Sequence, residues 1–76
     1  MKAFVLIKVR AGEIPEVVKN LRTVEGVVES HMTLGPYDVI AVLETTDVAK
    51  LGAITARKIQ PIPGVEQTLT CLAVDA

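Results

Sequence analysis

The sequence predicts a small α+β domain with one four-stranded sheet and two helices, in the order βαββαβ. Four short segments rich in aliphatic and β-branched residues are typical of strands, and two segments with helical periodicity lie between them. The second half also repeats the layout of the first. Residues 21–27 and 59–65 both lead from a helix end through Gly-Val into a strand, and Gly26 and Gly64 lie half a chain length apart.

The first predicted strand, Lys2–Arg10, is apolar on both faces. Side chains alternate across a strand, so one face carries Ala3, Val5, Ile7 and Val9, and the other carries Phe4 and Leu6. A strand of this kind is typical of the middle of a sheet that is covered on both sides.

The first predicted helix, Glu13–Arg22, follows a break at Ala11-Gly12. Its apolar residues recur at helical spacing: Ile14, Val17, Val18 and Leu21. Pro15 fits the first turn, where a missing N–H costs nothing. Gly26 ends this unit, and residues 27–34 are predicted to form the second strand.

A Gly-Pro turn precedes the third predicted strand, Tyr37–Thr45. This strand is again apolar on both faces, with Val39, Ala41 and Leu43 on one and Ile40 and Val42 on the other. Gly35 can adopt a positive φ, and Pro36 fixes its own φ and lacks an N–H. Backbone N–H groups there would point outward beside Tyr37 and Asp38, which makes the turn the best small-ligand feature of the sequence.

The second predicted helix, Val48–Gln60, begins after Asp47, which is a suitable N-cap. Its expected inner face is Val48, Leu51, Ile54, Thr55 and Ile59. Pro61 and Pro63 end the helix, and residues 65–74 are predicted to form the last strand.

Right-handed crossovers between these elements give a ferredoxin-like sandwich, an antiparallel four-stranded sheet with both helices on one face. The uncovered face would expose Phe4, Leu6, Ile40 and Val42, with either Leu69 and Cys71 or Leu72 and Val74. Burying such side chains stabilises by about 1.5–3 kcal/mol each. A core this small rarely supplies more than about 3–5 kcal/mol. We therefore expect a two-fold dimer through this face, of the dimeric α/β barrel type.

Composition restricts the function classes. The 76 residues allow one domain, 1–76, and a net charge of −1 without a basic stripe argues against direct nucleic-acid binding. The apolar runs are too short to cross a membrane. With one cysteine and one histidine, a structural zinc site is not expected, and a lone thiol suits a reducing, cytoplasmic location.

No catalytic constellation is recognisable, so the sequence indicates a binding module without a cofactor rather than an enzyme. Ser30 and His31 are adjacent on a strand and point to opposite faces, and Cys71 is expected to be a buried, inert thiol. Thr68 and Thr70 share one face of the last strand, where their hydroxyls can serve a ligand or simply suit a strand. Asp38 is suited to hold a ligand ammonium or to cap the turn.

The motifs Leu34-Gly35-Pro36-Tyr37-Asp38, Ile62-Pro63-Gly64-Val65 and Thr68-Leu69-Thr70 together resemble the ligand-binding (RAM) domain of the leucine-responsive and asparagine regulator (Lrp/AsnC) family. The resemblance implies a transcription-regulation module that binds a free amino acid and assembles from sheet-to-sheet dimers into octamer-like rings. It assigns the ligand site to Leu34, Gly35, Pro36, Tyr37, Asp38, Thr68 and Thr70. Family members carry an N-terminal helix-turn-helix, so the resemblance implies a stand-alone form of the domain here, which either senses amino acids or joins full-length regulators in mixed oligomers.

Other interpretations remain open on the sequence. A small dimeric α/β barrel enzyme would share this topology and would need a polar cavity between sheet and helices, containing His31 or Tyr37. An amino-acid-binding domain of the ACT type would place its sheets side by side. An assembly module without a ligand is the fourth interpretation.

Overall fold

Four strands form one antiparallel sheet in the order β2-β3-β1-β4, in a computed structural model that describes residues 1–74. The elements are β1 (Lys2–Val9), α1 (Ile14–Leu21), β2 (Val27–Met32), β3 (Val39–Glu44), α2 (Val48–Ile54), a π-helical turn (Thr55–Ile59) and β4 (Val65–Leu72). This order confirms the predicted ferredoxin-like α+β fold. The central strands are β1 and β3, and β2 and β4 form the two edges.

The core lies between the sheet and the helices and is almost entirely aliphatic. The inward faces of β1 and β3 pack there under α1, α2 and the π turn, as the alternation of side chains along each strand predicts. The largest fully buried side chains are Ile7, Leu21, Leu43, Ile59, Val5, Val17 and Val39. Among the described residues, only Ser30 and Thr55 are buried polar side chains, and each donates its hydroxyl to a helical carbonyl, of Val18 and Leu51 respectively.

The opposite side of the sheet, which we call the open face, carries no helix. Its register places Phe4 opposite Val42 and Cys71, and Leu6 opposite Ile40 and Leu69. Directly opposed residues point to the same side, so the last strand contributes Leu69 and Cys71 to the open face and turns Leu72 to the helix side. Phe4 is 37% exposed and Leu69 50% exposed. The predicted apolar open face is therefore present.

The middle strands are shorter than predicted because the connection between them is longer. Strand β2 ends at Met32 rather than Leu34, and β3 begins at Val39 rather than Tyr37. The Thr33 hydroxyl donates to the Tyr37 carbonyl, and the Thr33 amide donates to the Asp38 carbonyl. These bonds belong to a turn, so the residues between them leave the regular ladder.

The second helix differs from the prediction at its C-terminal half. Asp47 caps it as expected, because the carboxylate accepts the Lys50 amide at 2.7 Å. Regular α-helix ends at Ile54, and Thr55–Ile59 forms a π turn closed by the Gln60 amide donating to the Thr55 carbonyl. Val48, expected on the inner face, is 57% exposed, since it lies at the first turn beyond the edge of the core.

The remaining boundaries shift by one or two residues. The first helix starts at Ile14, with Glu13 as its N-cap residue and Pro15 in its first turn. The last strand ends at Leu72 instead of Val74. Within residues 1–74, no helix is both long enough and apolar enough to cross a membrane.

Candidate functional site

The turn between β2 and β3, residues 33–38, is fixed to the sheet by hydrogen bonds from both sides. The Asp38 carboxylate accepts the Val9 amide at 2.8 Å, and the Asp38 amide donates to the Ile7 carbonyl at 3.0 Å. The Lys8 ammonium donates to the Pro36 carbonyl at 3.1 Å. Together with the two Thr33 bonds, these contacts hold the turn against the end of β1 and limit its freedom to rearrange.

The amides at the tip of this turn are not used by the fold. Within residues 1–74, the backbone N–H groups of Leu34, Gly35 and Tyr37 donate to no acceptor, and Pro36 has no N–H. Leu34 is fully exposed, and Gly35 and Pro36 are also exposed. The turn therefore holds three backbone donors that the fold does not use, and such donors suit an anionic group.

Gly35 does not use the positive φ that a glycine allows. The described glycines with positive φ are Gly12, Gly26 and Gly64. A Cβ added at Gly35 would meet nothing within 4 Å. Neither backbone conformation nor packing within the chain requires glycine at this position, so its lack of a side chain matters only to something that approaches from outside.

Asp38 serves the fold directly. Its Oδ2 atom accepts the Val9 amide, at the point where β1 leaves the ladder with β3. The sequence left two roles open for this carboxylate, holding a ligand ammonium group or capping the turn locally. The hydrogen bond reaches across 29 residues of sequence, so it is not the local turn cap that was considered.

Thr68 and Thr70 lie on a different side of the sheet from the turn. They pair with Ile7 and Val5, whose side chains point into the core, so both threonines face the helix side of β4. The Gln60 side chain donates to the Thr68 hydroxyl at 3.2 Å. The turn is linked to the open face through Lys8. A single chain therefore does not bring the turn and the threonines into one pocket.

A wide cleft lies at the opposite end of the sheet from the turn. Its volume is about 930 Å³, and it opens between the loop after α1, the end of β3 and one face of α2 and the π turn. Lys50, Ile54 and Lys58 form its helical wall. Sequence reasoning did not single out these residues, because no motif connects the two lysines with the loop that faces them.

The residues considered for catalysis do not converge. The His31 ring pairs with the Glu29 carboxylate at 3.0 Å on the exposed surface of β2, and the Ser30 hydroxyl is buried on the other face. The expected burial of Cys71 is wrong, because its strand position opposite Phe4 places it on the open face, where it is exposed. In the part of the chain that the structure describes, no cluster of three or more His, Cys, Asp or Glu side chains is placed to hold a metal. The space between sheet and helices is an aliphatic core, not the polar cavity that the enzyme interpretation needs.

Comparison with protein families and relatives adds independent findings. A family model described as the Lrp/AsnC ligand binding domain matches residues 2–76. The HTH-type transcriptional regulator FL11 of Pyrococcus abyssi is 39% identical over 74 residues, which are 97% of this chain and 48% of that regulator. The chain spans about half the length of the curated relatives it matches.

Solved structures share the fold. The protein TTHA0845 from Thermus thermophilus gives a TM-score of 0.93 at 33% identity, with 99% of this chain and 94% of that chain covered. The transcriptional regulator NMB0573 of Neisseria meningitidis, solved as an L-Met complex, gives a TM-score of 0.86 at 17% identity, with 97% of this chain and 49% of that chain covered. At that level of identity the second likeness is one of fold.

Proposed function

Because this chain belongs to the Lrp/AsnC ligand-binding domain family, we propose that it is a sensing and assembly module for transcription regulation that binds a free amino acid at the 33–38 turn. Its named relatives are transcriptional regulators. The proposed site consists of Leu34, Gly35, Pro36, Tyr37, Asp38, Thr68 and Thr70.

The unused amides of the turn carry this proposal. Leu34, Gly35 and Tyr37 offer N–H groups that donate to nothing among the described residues, while bonds from Asp38, Thr33 and Lys8 hold the backbone in place. Hydrogen bonds between amides and a carboxylate are charge-assisted and stronger than neutral ones. Because the donors are already fixed, little conformational entropy is lost when an α-carboxylate binds.

A complete site requires a second copy of the chain. Thr68 and Thr70 face the helix side of an edge strand, whereas the turn borders the open face, so the two parts meet only between chains. The second oxygen of the Asp38 carboxylate makes no hydrogen bond within residues 1–74 and is suited to the ligand's ammonium group. Tyr37 is half-buried beside it.

The open face provides the dimer contact of the assembly that we propose. Leu6, Ile40 and Leu69 lie on a sheet surface that no element of residues 1–74 covers. An isologous dimer buries the same surface of both copies at once. This pairing, with further association into a ring, is the assembly that we propose.

Amino acids are the ligand class to test first. The proposal rests on the chemistry of the turn, which suits a carboxylate with a nearby ammonium group. A regulator with the same fold, NMB0573 of Neisseria meningitidis, was solved as a complex with L-Met. That protein therefore binds an amino acid.

The decisive experiment is thermal unfolding with each of the common amino acids at millimolar concentration. A ligand that binds only the folded state stabilises it by about 2.7 kcal/mol at one hundred times its Kd. We expect at least one amino acid to raise Tm with concentration, and we expect a panel without any shift to refute the proposal.

Two variants at one position test the amide itself. Gly35→Pro removes the N–H, and Gly35→Ala keeps it while adding a Cβ into open space. We expect Gly35→Pro to abolish the ligand-dependent rise in Tm. Gly35→Ala serves as the control for unfolding without ligand, where its Tm should match that of the wild type. Retention of the full response in Gly35→Pro would remove the turn from the site.

A further inference from the structure

Each half of the chain brings a glycine loop against the helix of the other half. Gly64 lies against α1, where an added Cβ would come within 3.0 Å of the Glu13 side chain and 3.2 Å of Val17. Gly26 lies against α2, where an added Cβ would be 2.8 Å from the Ile54 side chain. The two contacts are equivalent positions of the repeated unit, so their surroundings can be compared directly.

The chain fills the position beside Gly64 with its own carboxylate. Glu13, four residues before Val17, places its Oε2 atom 3.0 Å from the point where a Gly64 Cβ would stand. That oxygen is buried, and the Arg10 Nε atom lies 3.6 Å from it. A charged pair of the chain itself therefore occupies this side of the fold.

The position beside Gly26 is open instead, and it forms the wide cleft of about 930 Å³. Lys50 lies four residues before Ile54, the same spacing as in the first half, and Lys58 lies four residues after it. Residues four apart share one side of a helix, so both lysines border the cleft with Ile54 between them. Both lysines are exposed, and within residues 1–74 no carboxylate lies within 4.0 Å of either ammonium group.

The loop beside Gly26 also differs from its counterpart in its backbone donors. Glu25 and Gly26 line the cleft, and within residues 1–74 their amides donate to no acceptor. The Val27 amide donates to the Val24 carbonyl at 3.1 Å, so both unused amides lie in a closed turn. Successive amides in a turn form a concavity that suits an anion. The counterpart loop has Pro63, without an N–H, in the place of Glu25.

The charges of the cleft favour an anion. Glu44 lines it, but this residue follows Leu43, whose side chain lies in the core, so the Glu44 side chain points to the other side of the sheet. The neighbouring Asp47 carboxylate already accepts a helix amide. Glu25 is the acidic side chain left at the rim, and two ammonium groups stand against it. The side chains therefore give the cleft a net positive charge.

We propose that this cleft is a second ligand site, which binds a small phosphate monoester with an apolar or aromatic body. A phosphate monoester carries about 1.5–2 negative charges at pH 7 and three strong acceptor oxygens. Lysine ammonium groups bind phosphate as point charges, and the two lysines match this charge better than they match a single carboxylate. Ligand sites in proteins have volumes of about 300–1,000 Å³, so the cleft leaves room for an organic body over Ile54 and Val24.

Titration with phenyl phosphate, followed by amide NMR of the wild-type protein, tests the site. We expect saturable shifts of the Glu25 and Gly26 resonances at millimolar concentration. Benzoate has the same ring and one charge, and it should bind at least about fivefold more weakly because one charge pair is lost. Absence of saturable shifts at both amides would overturn the proposal, and equal affinity for benzoate would overturn the assignment to phosphate.

Charge reversal at matched lysines locates the binding. Lys58→Glu changes the charge of the cleft by two units, and we expect it to raise the Kd for phenyl phosphate by at least about tenfold. Lys50→Glu should act in the same direction. Lys19→Glu is the control, because Lys19 is an exposed lysine of α1 that does not line the cleft. Equal Kd values for Lys58→Glu, Lys50→Glu and Lys19→Glu would overturn the cleft as the site.

The two ligand sites can fail separately. The cleft shares no residue with the 33–38 turn and lies at the other end of the sheet. We therefore expect Lys58→Glu to keep the rise in Tm that an amino acid produces while it loses phenyl phosphate binding. Phenyl phosphate binding in a protein that responds to no amino acid would refute the proposed function alone. A Tm response to an amino acid without phenyl phosphate binding would refute this inference alone.

Discussion

Asp38 shows how much a single residue of the site does for the fold. Its carboxylate accepts the Val9 amide at 2.8 Å, and its own amide donates to Ile7. The sequence identified Asp38 as the acid of the turn but not its partner, because Val9 is 29 positions away and only strand pairing brings it near. Local motifs predict the turn, whereas its anchor is a tertiary contact.

The role of this carboxylate can be measured separately from ligand binding. Asp38→Ala leaves the half-buried Val9 amide without an acceptor, so we expect a loss of about 1–3 kcal/mol in the free energy of unfolding. Asp38→Asn keeps a carbonyl oxygen at this place and should lose less. Urea denaturation without ligand measures the stability of both variants. Equal stability of Asp38→Ala and wild type would contradict the role of Asp38 as the acceptor of the Val9 amide.

The glycines differ in what they contribute to stability. Gly26 has φ of +100° and a Cβ there would lie 2.8 Å from the Cδ1 atom of Ile54, while Gly35 has neither constraint. Ile54 can move its flexible end, but the backbone strain remains. We expect Gly26→Ala to destabilise by about 1–3 kcal/mol. Gly35→Ala should stay within about 0.5 kcal/mol of the wild type. Thermal unfolding of both variants provides the check, and equal Tm values would contradict this difference.

At the scale of elements, strands and helix starts were predictable and their irregular ends were not. Asp47 was predicted as an N-cap because capping is local, and its bond to Lys50 confirms this. The π turn at Thr55–Ile59 has no such local signal. It lies where the helix packs Ile59 into the core and the Thr55 hydroxyl turns back to Leu51, both of which depend on the sheet beneath.

The orientation of the last strand also depends on tertiary contacts and could not be predicted from local sequence. Alternation allowed either Leu69 and Cys71 or Leu72 and Val74 on the open face, since period-2 patterning fixes the alternation and not its phase. The pairing of Leu6 with Leu69 decides it. The phase of β4 also explains why the candidate site residues do not meet within one chain. It places Thr68 and Thr70 on the helix side of the sheet, away from the turn.

Helix α2 contains a substitution that should stabilise the protein. Gly52 lies inside the helix, has no positive φ, and a Cβ there would meet nothing within 4 Å. Alanine loses less conformational freedom on folding, so Gly52→Ala should stabilise the domain by about 0.4–1 kcal/mol. Chemical denaturation measures this directly. A decrease in stability would mean that the space beside Gly52 is occupied in the assembled protein.

At the scale of the whole molecule, the open face determines whether the domain is complete alone. Leu6 lies in the middle of that face, between Ile40 on β3 and Leu69 on β4, and is only partly covered by its neighbours. Leu6→Asp would bring a charge into the centre of a two-fold contact, where it meets its own copy in a desolvated setting. We expect sedimentation to show loss of the open-face dimer, with the helix-side core still folded by circular dichroism.

The matched control for this change is Leu34→Asp, which makes the same substitution at a fully exposed leucine outside the open face. It should leave association in the absence of ligand unchanged, because Leu34 packs against no part of the sheet. The two variants therefore separate the effect of an added charge from the effect of its position. If Leu6→Asp sediments like the wild type at micromolar concentration, the open face is not the dimer surface.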